Sequence, residues 1–486
     1  MSKTTGRLIL GSSVLFASFS MLTLATASTE PVDKEQYPYA PSLLQWEKST
    51  AEFTEPSTCG ECHPEKYEEW RGSMHAMAFQ DPIYQGELNL AIEAVGHDIA
   101  RQCEGCHTAA AVVTGEIKGA GLKDLSPMAM AGVSCDVCHS IKGHSHWQTP
   151  THQPENGSFI LSPGKEVGGE TLLTKYGPFP PADGCGEGFH ECIESPLHLQ
   201  AELCASCHQV THYETHTPLE ETYSEWKNSI YAVKDISCQD CHMVELETFI
   251  RSADKLQRPT REEYRHYFNG ANFLVYHLSG LAAKKSGDED LAGNLQQKYE
   301  MAVARLQAAA ELDVTPLYEQ GKLQEIKIRI KNKRAGHNLP TSLTNIRQMW
   351  LEVTAVDATG KVVMSSGHLD AKGELPENTR IFNSDGMGDN MHFALNPWEI
   401  VSFSRHDTIP PKGYRDVYYG VTPQDTSPLT LTVKLRFRQA TQKVAEKLLG
   451  HLPDDMHLDA IYGISEVPAV PIIDMVKTTI TINPQG

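Results

Sequence analysis

The stretch Val133-Ser-Cys-Asp-Val-Cys-His-Ser-Ile141 contains two cysteines separated by two residues, with a histidine directly after the second. On one helical turn, residues i, i+3 and i+4 share a face, so both thiols can reach the two vinyl groups of one haem. The adjacent imidazole then lies under the iron as an axial ligand. The pattern C-x-x-C-H is therefore typical of covalent attachment of a c-type haem.

The same pattern occurs five times and uses ten of the twelve cysteines. Paired C-x-x-C units of a zinc site would not need a histidine after every second cysteine, and a thioredoxin-type pair would occur once. We therefore predict five covalently bound c-type haems, at sites numbered 1 to 5 along the chain. The attachment cysteines are Cys59/Cys62, Cys103/Cys106, Cys135/Cys138, Cys204/Cys207 and Cys238/Cys241, and the proximal iron ligands are His63, His107, His139, His208 and His242.

The two remaining cysteines, Cys185 and Cys192, are not followed by histidine. In an exported protein the default expectation for such a pair is a disulfide that closes a small loop. Two free thiols are the alternative.

The chain contains 22 histidines, so seventeen remain after the proximal ligands are assigned. This supply favours a histidine as the second, distal ligand of most irons, that is, bis-histidine ligation. The expected distal ligands are His75, His198, His266, His337 and one histidine of the segment after site 3, with His144 as the candidate beside His146 and His152. His97 is a weaker candidate, and His190, His212, His216 and His277 are expected at the surface or satisfied in the core.

A short repeat bears on these ligands. Tyr67, Glu69, Trp70, Ser73 and Ala76 of the first copy match Tyr223, Glu225, Trp226, Ser229 and Ala232 of the second. The first copy carries His75 where the second carries Tyr231. We predict that His75 binds the iron of a haem other than its neighbour, and that Tyr231 keeps only a packing role. Residues 133–141 and 236–244 also resemble each other, which indicates a partly duplicated module.

The first 27 residues have the pattern of a secretory signal peptide. Lys3 and Arg7 precede an apolar run over 8–24, and Ala25-Thr26-Ala27 is a small-residue cleavage site. A retained anchor helix is the alternative. A periplasmic or extracellular protein with no transmembrane segment is therefore expected.

The balance of charge restricts the partners. The formal net charge is −20. Nucleic acid and an anionic membrane surface both need clustered cations and are therefore disfavoured. Basic redox proteins, as electron donor and acceptor, fit this charge better.

The sequence predicts an α+β, multidomain architecture. After a lead-in at 28–55, a mostly helical and irregular pentahaem domain packed on its haems is expected at 56–285, with an irregular Gly- and Pro-rich excursion at 150–196. A bridging helix is expected within 286–320. From 321 to 486 apolar residues alternate with polar ones, which predicts an antiparallel β-sandwich.

With these residues in hand, the chain resembles multihaem c-type cytochromes that have a tetrahaem-cytochrome-like first half and a C-terminal β-domain. The matching segments are YEEWRGSMHA, GVSCDVCHSI, ELCASCHQV, ISCQDCHM, HYFNGAN and AGHNLPTS, within residues 57–370. The resemblance implies distal-ligand roles for His75, His198, His266 and His337. The chain departs from pentahaem nitrite reductases because all five motifs end in histidine and none in lysine.

Three functions follow as hypotheses. The first is a carrier of electrons between redox partners in anaerobic-type respiration, with no catalytic residue. The second is an oxidoreductase that acts on a small nitrogen or sulfur species at one open haem, with Tyr231 near site 5 as the first suspect. The third is a homo-oligomer in which subunits form a haem filament through the β-domain.

Overall fold

The computed structural model describes residues 44–46, 52–117, 119–145, 149, 151–212, 214–423 and 426–485. The predicted signal peptide at 1–27, most of the lead-in and His146 lie outside the described residues. Among the residues that are described, no helix has the length and apolar character needed to cross a membrane.

Helices, most of them short, are the main regular structure between residues 56 and 309, because proline, serine and aspartate repeatedly begin them. Ser134 accepts a hydrogen bond from the Val137 amide and Asp81 accepts one from the Ile83 amide, which are the usual N-cap contacts. The helices are α1 (Pro56–Cys62), α2 (Pro64–Arg71), α3 (Met74–Met77), α4 (Pro82–Val95), α5 (His97–His107), α6 (Ala109–Thr114), α7 (Pro127–Met130), α8 (Cys135–His139), α9 (Ala201–Ala205), α10 (Thr222–Lys227), α11 (Ile230–Val233), α12 (Gln239–His242), α13 (Leu246–Lys255), α14 (Phe273–Ser286) and α15 (Glu289–Ala309).

Small sheets interrupt these helices. The strands are β1 (Gln45–Trp46), β2 (Ile141–His144), β3 (Phe159–Leu161), β4 (Gly164–Val167), β5 (Glu170–Gly177), β6 (His190–Glu194), β7 (Val210–Thr211) and β8 (Pro218–Glu220). The expectation of an irregular excursion at 150–196 is therefore wrong in part, because β4, β5 and β6 form a three-stranded sheet there. Glycines that favour turns lie between these strands and conceal them in the sequence. The predicted disulfide between Cys185 and Cys192 is confirmed and closes the loop before β6.

The long helix α15 passes directly into the first strand of the C-terminal region. That strand, β9 (Ala310–Glu319), begins before the expected boundary at 321. The remaining elements are β10 (Lys322–Asn332), β11 (Gln348–Val356), β12 (Val362–Ser366), β13 (Ile381–Phe382), β14 (Ser384–Met387), β15 (Ser402–His406), β16 (Tyr414–Gly420), β17 (Leu429–Arg438), α16 (Gln442–Leu449), α17 (Leu458–Ile461) and β18 (Ile473–Ile482).

Two antiparallel sheets pack face to face in this region. One has the order β16-β10-β9, and the other has β12-β11-β17-β18 with β13 paired to β11. Alternate residues of each sheet, such as Ile328 of β10, Val353 of β11 and Val433 of β17, are fully buried in one shared core. The α+β class with a β-sandwich is thus confirmed.

The sandwich is joined to the helical part through the turn after β10. Arg334 forms a two-pronged ion pair with Asp254 of α13, at 2.9 and 2.8 Å. In the same turn, the Thr341 hydroxyl donates to Glu225 of α10 at 2.6 Å. These contacts fix the position of His337, which lies between them in the chain.

Candidate haem-binding site

All five C-x-x-C-H motifs line one cavity of 1920 Å³. That volume exceeds the roughly 300–1,000 Å³ of an ordinary small-molecule pocket. Among the described residues, five histidines outside the motifs line the same cavity, namely His75, His190, His198, His266 and His337. A space of this size, lined by these motifs, has room for more than one prosthetic group.

Each motif forms a helical turn that directs its cysteines and histidine to one side. The motifs of sites 2 and 3 lie within α5 and α8. In the other three, the amide of the histidine donates to the carbonyl of the first cysteine, four residues earlier, at 2.9 Å each. This is the i, i+3, i+4 geometry expected from the sequence.

The proximal imidazoles are oriented through their Nδ1 atoms. Nδ1 of His107 lies 2.7 Å from the Ala78 carbonyl oxygen, that of His139 lies 2.6 Å from the Tyr176 oxygen, and that of His242 lies 2.9 Å from the Asn269 oxygen. A carbonyl on Nδ1 fixes the tautomer and leaves Nε2 free for a metal. The three rings are therefore set up as metal ligands.

Two motif histidines each face one further imidazole across the cavity. The ring centroids of His75 and His208 are 6.3 Å apart, and those of His242 and His337 are 6.1 Å apart. Two metal–nitrogen bonds of about 2 Å each, with the ring radii added, span about 6 Å. Both pairs thus have the spacing of two ligands on opposite sides of one metal ion.

Burial lowers the pKa of His75, His242 and His337 and so favours the neutral form that binds metal, whereas at His208 the Glu220 carboxylate outweighs burial and raises the pKa. Burial lowers the pKa of His75 to about 3, with a smaller effect from the nearby His208. It also lowers the pKa of His242 to about 4, with His337 as the next cause. A buried imidazole without its proton presents a lone pair to a metal at neutral pH.

At site 3, two imidazoles compete for the position opposite His139. The ring centroid of His198 lies 5.8 Å and that of His266 lies 6.2 Å from that of His139. Nε2 of His198, however, lies 3.0 Å from the Cys138 carbonyl oxygen, on the backbone of the motif itself. His266 turns Nδ1 towards Glu69, at 3.6 Å, which leaves its Nε2 available. The orientation therefore favours His266.

Sites 1 and 2 differ, because among the residues described no second imidazole ring faces His63 or His107 in this way. The phenol ring of Tyr84 stacks on His107 instead, with centroids 3.8 Å apart and planes 4° from parallel. Burial raises the pKa of Asp81 to about 6 and that of Glu87 to about 7. Both carboxyls line the cavity, as does Arg347, whose pKa burial lowers.

Two of the histidine predictions, one for a distal ligand and one for a surface or core position, meet a different arrangement in the structure. His144, at the end of β2, is not among the described residues that line the cavity, whereas His190, expected at the surface or in the core, is. His190 interacts electrostatically with His63 of site 1, and its Nδ1 lies 3.5 Å from Cys192 Sγ. The disulfide-closed loop was the one sequence signal that could have drawn attention to it.

Thiol contacts give the order of the motifs in space. The thiols of Cys59 and Cys135, of Cys106 and Cys207, and of Cys204 and Cys238 lie close enough for one thiol of each pair to shift the pKa of the other. Site 1 is therefore adjacent to site 3, and site 4 is adjacent to sites 2 and 5. Cys138 of site 3 also interacts electrostatically with Cys207 of site 4, which joins the two groups.

Comparison with known proteins agrees with this geometry. The family model described as cytochrome c554 and c-prime matches residues 58–140, which contain the first three motifs. A solved structure, the penta-heme cytochrome c552 from Thermochromatium tepidum, aligns with a TM-score of 0.58. These findings support a multihaem c-type cytochrome family. The T. tepidum alignment covers 88% of this chain and 99% of that chain at 18% identity, so it shows the fold alone.

A search of curated proteins gave no match to this chain. The family model and the motifs together support covalent c-type haem and, in general terms, electron transfer.

Proposed function

We propose that the protein binds five c-type haems and carries electrons between redox proteins in anaerobic-type respiration. The observation that carries the proposal is the pairing of motif imidazoles with second imidazoles, about 6 Å apart, in one cavity lined by all five motifs. A bound c-type haem supplies reversible one-electron chemistry at its iron. Six-coordinate iron suits that task, because two protein ligands leave no position for a substrate.

The residues assigned to this task form three bis-histidine pairs. His75 serves His208 at site 4, His266 serves His139 at site 3, and His337 serves His242 at site 5. Each partner comes from a part of the chain far from its motif, so ligation also ties the helical segments and the sandwich together. Folding and haem binding are expected to be coupled for that reason.

The order of the motifs supports a branched path in which sites 1, 3, 4 and 5 follow one another and site 2 lies beside site 4. Site 1 is an open end of this path, because Cys62 and His63 are exposed together with Glu61 and Glu65. Acidic side chains around an exposed haem edge would steer a basic redox partner to that end.

The location proposed for the protein is the periplasm or the cell exterior. The disulfide between Cys185 and Cys192 is stable in an oxidising compartment. The apolar run at 8–24 after Lys3 and Arg7 has the pattern of an export signal. Covalent haem attachment on five motifs suits the same compartment.

The test is to produce the exported protein in a host that matures c-type cytochromes and to count its haems. We expect five equivalents in the pyridine haemochrome assay and a mass increased by five haems. Electron paramagnetic resonance should give low-spin ferric signals from sites 3, 4 and 5. Fewer than five equivalents, or high-spin signals alone, would overturn the proposal.

A second candidate function rests on site 2, where Tyr84 stacks on His107. An open coordination position on a haem there would take a small nitrogen or sulfur species, with the half-buried Asp81, Glu87 and Arg347 as the ionisable groups of the pocket. The earlier suspect, Tyr231 near site 5, is less suitable, because His337 faces that site and the Tyr231 hydroxyl donates to a backbone carbonyl. A high-spin ferric signal that shifts on addition of azide would favour this candidate.

A further inference from the structure

The two copies of the Tyr-x-Glu-Trp segment make matching contacts in the structure. The indole Nε1 of Trp70 donates to the Val133 carbonyl at 3.0 Å, and that of Trp226 donates to the Ile236 carbonyl at 2.7 Å. Each acceptor lies two residues before the first cysteine of a motif, at sites 3 and 5 respectively. Both tryptophans thus hold the start of a haem-binding turn in the same way.

The glutamates of the two copies also make matching contacts. Glu69 accepts a hydrogen bond from the backbone amide of His266 at 2.9 Å. Glu225 accepts one at 3.0 Å from the amide of Asn338, the residue after His337. In each copy, therefore, the tryptophan binds the backbone just before a motif. The glutamate of the same copy binds the backbone at or next to the histidine that faces this motif.

The two copies differ in what the imidazole itself meets. In the first, Glu69 Oε2 lies 3.6 Å from His266 Nδ1, and the Glu69 side chain is almost fully buried. In the second, His337 Nδ1 lies 2.9 Å from the neutral carbonyl oxygen of Asn338, while Glu225 binds the Thr341 hydroxyl. Only the first of these imidazoles has a carboxylate beside its Nδ1 atom.

We propose that Glu69 is a positioning residue that also lowers the reduction potential of the haem at site 3 relative to the haem at site 5. The inference rests on the proposed function, since it requires iron between His139 and His266. A carboxylate next to Nδ1 raises the basicity of the ligating imidazole and so stabilises ferric over ferrous iron. A neutral carbonyl in the same position does so less.

Two cations next to the Glu69 carboxylate limit its effect on the reduction potential of the haem at site 3. Lys66 Nζ lies 3.0 Å from Glu69 Oε2, and Arg265 Nε lies 3.4 Å from Glu69 Oε1. Lys66 is the more easily replaced, since 38% of its side chain is exposed. Removal of its charge should leave Glu69 a stronger acceptor for His266.

The test compares Glu69→Gln with Glu225→Gln in the full-length haem-loaded protein, using potentiometric titration followed by optical and electron paramagnetic resonance spectra. Glu69→Gln should raise the reduction potential of the haem at site 3 by about 59 mV, which corresponds to a roughly tenfold change in the equilibrium constant for one-electron reduction. Glu225→Gln is the matched control and should shift the site 5 potential much less. Lys66→Met should shift the site 3 potential in the opposite direction, and Glu69→Asp should keep it near the wild-type value.

Haem counting on every variant separates the two levels of the proposal. A wild-type protein without haem at site 3 would refute the proposed function itself. Two results would overturn only the role of Glu69 in a protein that holds five haems. One is an equal shift of the reduction potentials in Glu69→Gln and Glu225→Gln, and the other is a site 3 potential that does not fall in Lys66→Met. If Glu69→Gln fails to fold, the sign of the Lys66→Met shift still decides.

Discussion

Tyr231 donates its hydroxyl to the backbone carbonyl of Arg334 at 3.1 Å, three residues before His337. The matching position of the first repeat holds His75, which faces His208. The first copy of the duplicated segment therefore presents an imidazole of its own, that of His75. The second copy anchors the turn that presents the imidazole of His337. Tyrosine serves this second purpose well, because its ring packs in the core and its hydroxyl reaches the carbonyl.

The first prediction concerns this anchor. Tyr231 is 1% exposed, so the Arg334 carbonyl would lose a buried donor in Tyr231→Phe. We expect the free energy of unfolding to fall by about 1 kcal/mol. Denaturant titration measures this change, and electron paramagnetic resonance should remain as in the wild type. An unchanged free energy of unfolding in this variant would contradict the anchoring role.

The second prediction separates the two imidazoles that face His139. His266→Ala should convert one haem equivalent from low to high spin, because His266 leaves Nε2 available for iron. His198→Ala should keep the low-spin signal, since His198 is turned to the Cys138 carbonyl. The two variants are each other's control, and the reverse outcome would assign His198 as the ligand.

The parts of this protein that were predictable from sequence are those in which the interacting residues are close along the chain. The five motifs, the Cys185–Cys192 disulfide and the alternation of β10 and β17 are local patterns of this kind. A single helical turn or strand reveals each of them without knowledge of the tertiary fold.

The pairing of histidines was not predictable in the same way. His337 lies 95 residues after His242 in the chain, and His75 lies 133 residues before His208. Only the packing of the sandwich and of α2 and α3 brings these rings together. The same holds for His144, which was predicted as a ligand, and for His190, which lines the cavity, because proximity in sequence to a motif says little about which rings line it.

The third prediction concerns the segment that carries His266. Glu263 closes a capping box with Thr260 and binds Arg251 through both oxygens at 2.7 Å. These contacts, led by the Thr260 amide, lower the pKa of Glu263 to about 2. Because the folded-state pKa is depressed, the carboxylate stabilises the protein fully above its ordinary value near 4.5 and loses this effect as the pH falls towards 2.

Glu263→Gln should therefore lower the melting temperature at pH 7 and lower it progressively less between pH 4.5 and 2. Thermal unfolding followed by circular dichroism at several pH values measures the difference. Glu262→Gln, at the exposed neighbouring position, is the control and should have little effect at any pH. A difference between Glu263→Gln and wild type that is independent of pH would refute the ionic origin of the stabilisation.

The last prediction tests whether the sandwich supplies an iron ligand to site 5. Asn332 donates to the His337 carbonyl at 2.7 Å, and the Asn338 amide donates to Glu225. Because neither bond uses the imidazole, His337→Ala should remove the ligand while the turn keeps its structure. We expect one haem equivalent to become high spin and added imidazole to restore the low-spin signal. His277→Ala, at an exposed position of α14, should change neither spectrum, and a spectrum of His337→Ala equal to the wild type would exclude ligation by His337.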